Sequence, residues 1–463
     1  MNRLRTCLLL GLWLGMASTA PNAAANTNLL VWHRTADRVD ADVRGWDLHG
    51  LLERVARETG WQVYVEPNSN HRASAKFKDL PSGEALRLLL GDLNFALVPR
   101  TNASPRLFVF HTAMQNATRE VRPSTGRDRR EISPRRVPDQ LIVRLKPGAD
   151  IEAWARLLNA KVIGQIPELD AYLLEFADAD AVEAARVQLG NGTDVAGVDY
   201  NYYIEQPEPS RGLLAASTPP LSLQLKPPGD SGRMIVGLVD TAVQPFGGNL
   251  DAFFLQQISV AGEATPNPLT PTHGTSMAET ILRSLEIVTK GNTSVQILPV
   301  DVYGPNPETT SWHVAKGIVQ AVNNGATVIN LSLGGAGDSV VLRDVVQSVS
   351  ARGIPIFAAA GNEPVATPFF PAAYPEVTAV TARAGQASVP GQAAIAPYAN
   401  YGSFVDLAAP DASIVYFGDR PWYVRGTSAA AAYTSGMAAA LAETTRQNWG
   451  DIQAILRRNF PVP

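Results

Sequence analysis

The spacing of hydrophobic residues divides the chain into segments with different predicted structures. From about residue 231 onward, continuous apolar runs alternate with stretches of helical periodicity, such as Val314–Asn323 and Val340–Arg352. Strands that are buried on both faces of a parallel sheet have this continuous apolar character. The runs are Ile235–Val239, Ile297–Val300, Thr327–Leu331, Ile354–Ala360 and Val377–Val380. The pattern predicts an α/β fold with a doubly wound parallel sheet over residues 231–463, in which sites collect at the carboxyl ends of strands.

Two smaller segments precede the predicted sheet. In residues 40–112, apolar residues at helical spacing are followed by a strand-like alternation of apolar and polar residues, and this pattern occurs twice. It predicts a small α/β module. Residues 139–205 predict a ferredoxin-like βαββαβ domain. In its first helix, capped by Asp150, we expect Ile151, Trp154, Leu157 and Leu158 to face inward, and Asp180 with Glu183 has the spacing of a capping box for its second helix. Arginine- and proline-rich residues 113–138 and proline-rich residues 206–230 are predicted linkers.

The first 25 residues have the pattern of a secretory signal peptide. Arg3 and Arg5 precede an apolar run from Leu8 to Met16, and small residues follow, with candidate cleavage after Ala20 or near Ala25. The run is too short to span a bilayer, which disfavours a membrane anchor. We therefore expect an exported protein, periplasmic or secreted.

Composition narrows the classes of function. Hydrophobic residues make up 45% of the chain and charged residues 18%, as in ordinary globular proteins. The net charge of −4 gives no basic field that would attract nucleic acid, and the arginines of 113–138 suit a solvated tether better. The only cysteine is Cys7, inside the predicted signal, so no disulfide is expected. The alanine-rich stretch Ser428–Ala442 predicts a buried helix.

Three short segments carry an acid, an imidazole and a hydroxyl, each among small residues. They are Ile235–Thr241 with Asp240, His273-Gly274-Thr275, and Gly426-Thr427-Ser428. A serine nucleophile needs a base to take its proton, and the base needs a carboxylate to hold its tautomer. We expect Ser428 to be the nucleophile at a helix N-terminus, His273 the general base and Asp240 the residue that orients it.

Asn362 completes the predicted constellation. It follows the run Ile354–Ala360, and its neutral amide can donate to a developing oxyanion, with the backbone N–H of Ser428 as second donor. His313 and Asp301 are the competing residues of the same types. We expect His313 to face solvent and Asp301 to be structural, because neither lies among small residues as His273 and Asp240 do.

The chain order Asp, His, Ser and the four segments together resemble the subtilases over roughly residues 231–460. The resemblance implies a serine endopeptidase in which Ser332, Leu333 and Gly334, of the segment Leu331–Gly335, and Ala360 and Gly361 bind substrate. The family usually has glycine where Ala242 stands and proline where Ala432 stands. No cofactor is expected to be required; a calcium site is possible but cannot be assigned, because no Asp-x-Asp-x-Asp/Asn-Gly loop is present, and no metal ligand is predicted.

The two N-terminal segments also resemble known families. Leu141–Gly148 is similar to subtilase propeptides of the inhibitor type, which implies a zymogen whose own residues 139–205 fold the enzyme, block it and are then cut off. Residues 40–112, notably Lys76–Pro81 and Glu84–Leu90, resemble the short N-terminal domain of secretins and TonB receptors, which implies an envelope protein partner.

The expected partners are therefore a peptide or protein substrate, the chain's own propeptide and an envelope protein, with no nucleic acid. One alternative is a catalytically silent protein that holds extended peptides on the same scaffold. Another is an envelope-interaction protein whose first domain is its main purpose. A lipase or esterase is disfavoured, because Ala430 stands where the Gly-x-Ser-x-Gly motif requires its second glycine.

Overall fold

The computed structural model describes residues 29–463 except 34–36, 67–68, 70, 101–103, 122–132, 215, 217, 230–232 and 385–393. The predicted signal peptide lies outside the described residues. The chain forms two compact units, one up to Glu131 and one from Ile132 onward. Each unit has its own hydrophobic core.

In its described residues, the first unit packs two helices with two sheets. Strands β1, β2 and β4 form one sheet, and the other has the order β5-β6-β3-β7. Leu51, Leu52, Val55 and Ala56 of the first helix are buried in the core, as their spacing predicts. The elements are β1 (Leu29–His33), β2 (Arg38–Asp47), α1 (Leu48–Thr59), β3 (Gln62–Val65), β4 (Arg72–Pro81), α2 (Ser82–Leu90), β5 (Asn94–Val98), β6 (Arg106–Phe110) and β7 (Arg119–Val121).

The second unit begins with a small domain whose strands form the order β11-β8-β10-β9, all antiparallel. Its helices α3 and α4 supply Ala155, Val182, Ala185 and Leu189 to a core shared with β8 and β10. The elements run strand, helix, strand, strand, helix, strand: β8 (Arg136–Leu145), α3 (Ile151–Leu158), β9 (Lys161–Ile166), β10 (Ala171–Glu175), α4 (Ala179–Gly190) and β11 (Val195–Glu205).

The remainder of the second unit is built on a mostly parallel sheet of order β15-β17-β14-β19-β20-β21-β22, with β23 paired to β21. This confirms the expected α/β fold. The strands are β12 (Arg211–Gly212), β13 (Gln224–Leu225), β14 (Ile235–Asp240), β15 (Ile258–Ser259), β16 (Asn292–Thr293), β17 (Gln296–Asp301), β18 (Glu308–Thr310), β19 (Val328–Leu331), β20 (Ile356–Ala359), β21 (Thr378–Ala384), β22 (Ala394–Ile395), β23 (Leu407–Pro410), β24 (Ala412–Phe417) and β25 (Arg420–Arg425). The helices are α5 (His273–Thr289), α6 (Ser311–Asn323), α7 (Val340–Ala351), α8 (Thr427–Thr445) and α9 (Trp449–Asn459).

Helices cover both faces of this sheet, which explains its continuous apolar strands. Along β14, Val236 and Leu238 pack with α5, α8 and α9, whereas Ile235 and Val239 pack with α6 and α7. Successive side chains of a strand point to opposite faces, so a strand between two helical layers must be apolar at every position. Helix α8 is buried along most of its length, as its alanine-rich sequence predicts.

Local details differ from the sequence-based expectations at several places. The predicted linker 113–138 contributes β7 at one end and the start of β8 at the other, and residues 206–230 include β12 and β13. Leu157 is 68% exposed, because the buried face of α3 is formed by Ile151 and Ala155. The cap of α4 is Asp178, which accepts a hydrogen bond from Ala181 N, and not Asp180.

Among the described residues, no helix is long and apolar enough to cross a membrane.

A buried ion pair lies inside the second unit, on α5. Glu279 is 2% exposed; its carboxylate accepts hydrogen bonds from Arg283 Nη2 at 2.6 Å and from Tyr416 N at 2.6 Å. Burial raises the pKa of Glu279 to about 7, although both partners act in the opposite direction. The removal of the carboxylate from water therefore outweighs its hydrogen bonds.

We expect the free energy of unfolding to fall as pH rises from about 4.5 to about 7, because the raised pKa disfavours the charged Glu279 in the folded state. With 1.36 kcal/mol for each pKa unit, the Glu279 contribution is on the order of 3 kcal/mol. Glu279→Gln should flatten this slope in urea unfolding measured across that pH range, with Glu286→Gln on the same helix as control. An unchanged slope in Glu279→Gln would contradict the assignment.

Candidate active site

The carboxyl ends of three neighbouring strands bring the predicted site residues to one edge of the sheet. Asp240 is the last residue of β14, Ser332 directly follows β19, and Asn362 follows β20 closely. The strands are in register, with Val239 beside Leu331 and Leu331 beside Ala358. The parallel pairing of adjacent strands therefore places these residues side by side.

His273 and Asp240 form a buried pair at this edge. His273 Nδ1 lies 2.8 Å from Asp240 Oδ1 and 3.0 Å from Oδ2, and the side chains are 4% and 1% exposed. Asp240 Oδ1 also accepts a hydrogen bond from Thr241 N at 2.7 Å. The carboxylate fixes Nδ1 of the imidazole as the hydrogen-bonded nitrogen and leaves Nε2 as the one available for other chemistry.

The start of α5 is fastened to the end of β14, and this fixes the position of His273. Thr272 caps the helix by accepting from Thr275 N, and its hydroxyl donates to Ala242 O at 2.6 Å. Gly274 N donates to Thr241 Oγ1 at 2.7 Å. A Cβ at position 274 would collide with the carbonyl oxygen of Thr241, so only glycine permits this close approach.

Ser428 lies in the first turn of α8. Gly426 precedes the helix with φ +139°, a conformation that residues with a side chain rarely adopt. Ser428 Oγ donates to Ser332 O at 2.9 Å, and Ser332 Oγ donates back to Ser428 O at 2.9 Å. The backbone N–H of Ser428 belongs to the first turn, where helix N–H groups have no partner within the helix.

Asn362 is held beside the same turn. Its Oδ1 accepts hydrogen bonds from Thr427 N at 3.0 Å and Thr427 Oγ1 at 3.1 Å. The side-chain amide lies beside Gly426, with Nδ2 3.2 Å from the place that a Cβ there would occupy. The structure thus brings together Asp240 with His273, and Asn362 with the Ser428 turn.

Two buried polar residues support this arrangement and were not predicted from the sequence. Asn330 Nδ2 donates to Ser332 Oγ at 3.0 Å, and Asn330 Oδ1 accepts from Ser435 Oγ at 2.9 Å. Ser435 lies two turns after Ser428 on α8, and Asn330 interrupts an otherwise apolar strand. That interruption is a sequence signal that could have identified Asn330.

The remaining predicted substrate residues differ in their surroundings. Leu333 and Ala360 are buried, and the Ala360 N–H is used within the sheet by Val380 O. Gly334 lies against the backbone of Phe370, and Gly361 N donates to Thr427 Oγ1 at 3.2 Å. Gly361 therefore contacts the turn, whereas Leu333 serves the core.

An extended segment from the small domain reaches this edge of the sheet. Tyr203, Ile204 and Glu205, at the end of β11, pair antiparallel with β18, and Ile204 approaches Gly335. Beyond it, Gln206 N donates to Pro307 O, and Ser210 Oγ lies 2.6 Å from Ser276 Oγ. β12 then pairs with β25, which leads directly to Gly426. We did not predict β18 as a partner.

The competing residues His313 and Asp301 have other roles. His313 is partly buried at the start of α6, which corrects the expectation of a solvent-facing side chain, and burial lowers its pKa to about 4. The apolar packing of α6 explains the difference. Asp301 Oδ1 accepts from Tyr303 N and Gly304 N and so closes a turn. Among the described residues, no group of three or more His, Cys, Asp or Glu side chains could hold a metal ion.

Two family models match the chain. Residues 232–460 match the model described as "Subtilase family", and residues 126–201 match the model described as "Fervidolysin N-terminal prodomain". The crystal structure of fervidolysin from Fervidobacterium pennivorans has a similar fold, with a TM-score of 0.53 and 19% sequence identity, covering 70% of this chain and 57% of that one.

Curated relatives match part of the chain. The thermophilic serine proteinase of Bacillus sp. (strain AK1) is 38% identical over 35% of this chain, which spans only 39% of that protein's length. Thermitase of Thermoactinomyces vulgaris is 30% identical over 46% of this chain and 75% of its own length. With this coverage and the family model over residues 232–460, the chain belongs to the subtilase family.

Proposed function

We propose that the chain is a serine endopeptidase that hydrolyses peptide bonds with Ser428, His273, Asp240 and Asn362. The observation that carries the proposal is the buried His273–Asp240 pair at the sheet edge where Asn362 holds the Ser428 turn. A silent peptide-binding protein would need neither a tautomer-fixing carboxylate nor an amide directed at the serine turn. We therefore favour the enzyme over the catalytically silent or envelope-interaction alternatives.

In the proposed mechanism, Ser428 Oγ exchanges its hydrogen bond to Ser332 O for one to His273 Nε2. The imidazole takes the hydroxyl proton as Oγ attacks the substrate carbonyl carbon, and Asp240 stabilises the resulting imidazolium. Asn362 Nδ2 and Ser428 N donate to the oxyanion. His273 then protonates the leaving amine. A water molecule next gives a proton to His273 and attacks the acyl carbon, and His273 returns the proton to Ser428 Oγ as the acyl–serine bond breaks.

We further propose that residues 139–205 are a ferredoxin-like, inhibitor-type propeptide and that the chain is a zymogen. Polar residues of β11 cap two helices of the peptidase domain. Asp199 Oδ2 accepts from Ser339 Oγ and Val340 N at α7, and Asn201 Oδ1 accepts from Ser311 Oγ and Trp312 N at α6. Apolar residues of both domains share one core, including Ile142, Ile166, Leu173, Trp312, Val314 and Val341.

The segment after this small domain supports the same proposal. Its tail pairs with β18, and residues 206–212 pass from Pro307 to β25, next to the serine turn. A chain held at both ends in this way would keep peptide substrates out until it is cut and the propeptide leaves. A fast-folding βαββαβ partner would also help a parallel sheet with many nonlocal contacts to fold.

The first unit and the start of the chain complete the proposal. We propose that residues 1–25 direct export to the periplasm or the medium, and that residues 40–112 form a domain like that of secretins and TonB receptors, which binds an envelope protein. The support for the domain is its separate compact unit with its own core. The proposal includes no cofactor.

If Ser428 is the nucleophile, Ser428→Ala should lower peptidase activity by orders of magnitude and abolish labelling by a phosphonate probe, with an unchanged circular dichroism spectrum. Asn362→Ala should lower kcat by about 10²–10³, a value that belongs to subtilisin and is carried over by family resemblance. Ser350→Ala, at the end of α7 and at the opposite edge of the sheet, is the control. Normal activity in Ser428→Ala would refute the assignment.

If the chain processes itself, wild-type protein should acquire a new N-terminus between about 205 and 230, while Ser428→Ala should accumulate uncut. The new N-terminus should not be a proline such as Pro207 or Pro209. The nitrogen of an X-Pro bond carries a ring carbon in place of its hydrogen, and we expect such a bond to resist cleavage. N-terminal sequencing of both proteins tests this. Full activity of the uncut chain, or equal cutting in Ser428→Ala without added protease, would contradict autoprocessing.

If the first unit is autonomous, limited trypsin digestion should cut first within residues 122–132, which join the two units and contain four arginines. The released fragment should end after β7, because β7 pairs with β3 in the sheet of this unit. Mass spectrometry identifies the cut, and thermal melting of the fragment 26–121 tests its stability. A fragment without a cooperative transition would count against an independent module.

A further inference from the structure

The strand pairing at the candidate cleft places two carboxylates opposite each other. In the register of β11 and β18, Tyr203 lies beside Thr310, Ile204 beside Thr309 and Glu205 beside Glu308. Tyr303 Oη donates to Glu205 O at 3.2 Å, and the next residue, Gln206, donates its N–H to Pro307 O. These hydrogen bonds fix the backbone at position 205. Like charges directly opposite on neighbouring strands are destabilising, so this pair needs an explanation.

Arg135, just before β8, supplies the missing positive charge. Its Nη1 donates to Glu205 Oε1 at 3.2 Å and to Glu308 Oε1, and its Nη2 lies 3.3 Å from Glu308 Oε2. The guanidinium also lies over the Tyr203 ring, 5.1 Å from its centroid. Both carboxylates therefore face one cation, and Glu308 takes the bidentate contact that guanidinium groups favour.

A third carboxylate lies within electrostatic range of the same position. Glu363 directly follows Asn362, and its pKa is raised by burial and also by the negative charge of Glu205. Glu308 and Glu363 both belong to the peptidase domain, whereas Arg135 and Glu205 precede the linker. When the propeptide leaves, the bridging cation leaves with it and Glu308 stays on an open edge strand.

We propose that Glu308 is a specificity-determining residue, and that the subsite which Glu205 occupies selects lysine or arginine in the substrate. The inference rests on the proposed endopeptidase function. A substrate strand that replaces the tail on β18 would place one side chain opposite Glu308 and near Glu363. A basic side chain there forms an opposite-charge cross-strand pair, whereas an acidic one lacks the compensation that Arg135 gives to Glu205.

The same geometry explains why the propeptide has glutamate at this position. With Arg135 in place, the tail is neutralised and stays bound on β18. Arg135 lies next to β11 because Tyr203 N donates to Arg135 O, so the propeptide brings its own counter-ion for Glu205. A substrate strand brings no such counter-ion, so the open cleft favours basic segments over acidic ones.

The test is a map of cleavage sites. The self-processed full-chain enzyme and its variants would digest a denatured protein mixture, and mass spectrometry would count the residues at each position before the scissile bond. We expect lysine and arginine to be enriched at one position, and kcat/KM for peptides with lysine there to exceed that for glutamine by about two- to fivefold, the range of cross-strand charge pairs.

Variants of Glu308 give the decisive comparison. Glu308→Gln should remove the enrichment, Glu308→Lys should reverse it toward acidic residues, and Glu308→Asp should retain it. For each variant the quantity compared is the ratio of kcat/KM for the lysine peptide to kcat/KM for the glutamine peptide, which should fall to about one in Glu308→Gln. Glu363→Gln should reduce the enrichment in part. Glu263→Gln, an exposed carboxylate elsewhere in the domain, is the matched control and should change nothing.

Two failures can be told apart. Cleavage without any preference for basic residues, or a preference that Glu308→Gln leaves intact, would overturn the subsite inference and leave the endopeptidase function standing. A wild-type chain that cleaves no protein or peptide after its linker is cut would overturn the proposed function, and the subsite inference with it.

Discussion

The contact between the His273 imidazole and the Asp240 carboxylate is the constraint on which the candidate site depends. A carboxylate removed from water is stable only if its oxygens are hydrogen-bonded, and here Thr241 and His273 supply those bonds. Asp240 must end a buried strand for this to be possible, and His273 must begin a helix fastened to that strand. The contacts of Thr241, Ala242, Thr272 and Gly274 all serve that geometry.

The serine turn is held in place by hydrogen bonds between side chains and backbone carbonyls. The parallel strands β14, β19 and β20 end together, and α8 begins against the end of β19 through the mutual hydrogen bonds of Ser332 and Ser428. Asn330 and Ser435 anchor this junction inside an apolar environment, where a satisfied polar network fixes one arrangement. A rigid junction keeps the serine turn and the amide of Asn362 in fixed relation.

The small domain contacts the helices and the strand next to this edge of the sheet. It contacts the N-termini of α6 and α7 with the polar side chains of Asp199 and Asn201, and it pairs its last residues with β18. Helix N-termini and an open strand edge both have backbone groups that lack partners within their own element. The tail therefore occupies an open strand edge next to the serine turn, and the Arg135 bridge makes an acidic residue acceptable there.

The sequence by itself determined which segments are buried strands and helices, because continuous apolar runs and helical spacing follow directly from burial on two faces. It also singled out Asp240, His273, Asn362 and Ser428, since polar residues in small-residue contexts after apolar runs stand out locally. It could not show that β18 receives the tail, that Asn330 and Ser435 support the serine turn, or that Arg135 joins Glu205 to Glu308. These contacts join residues far apart in the chain, and only the tertiary packing of β11, β18, β19 and α8 brings their side chains together. Local periodicity similarly misplaced Leu157, whose exposure is decided by what packs on α3.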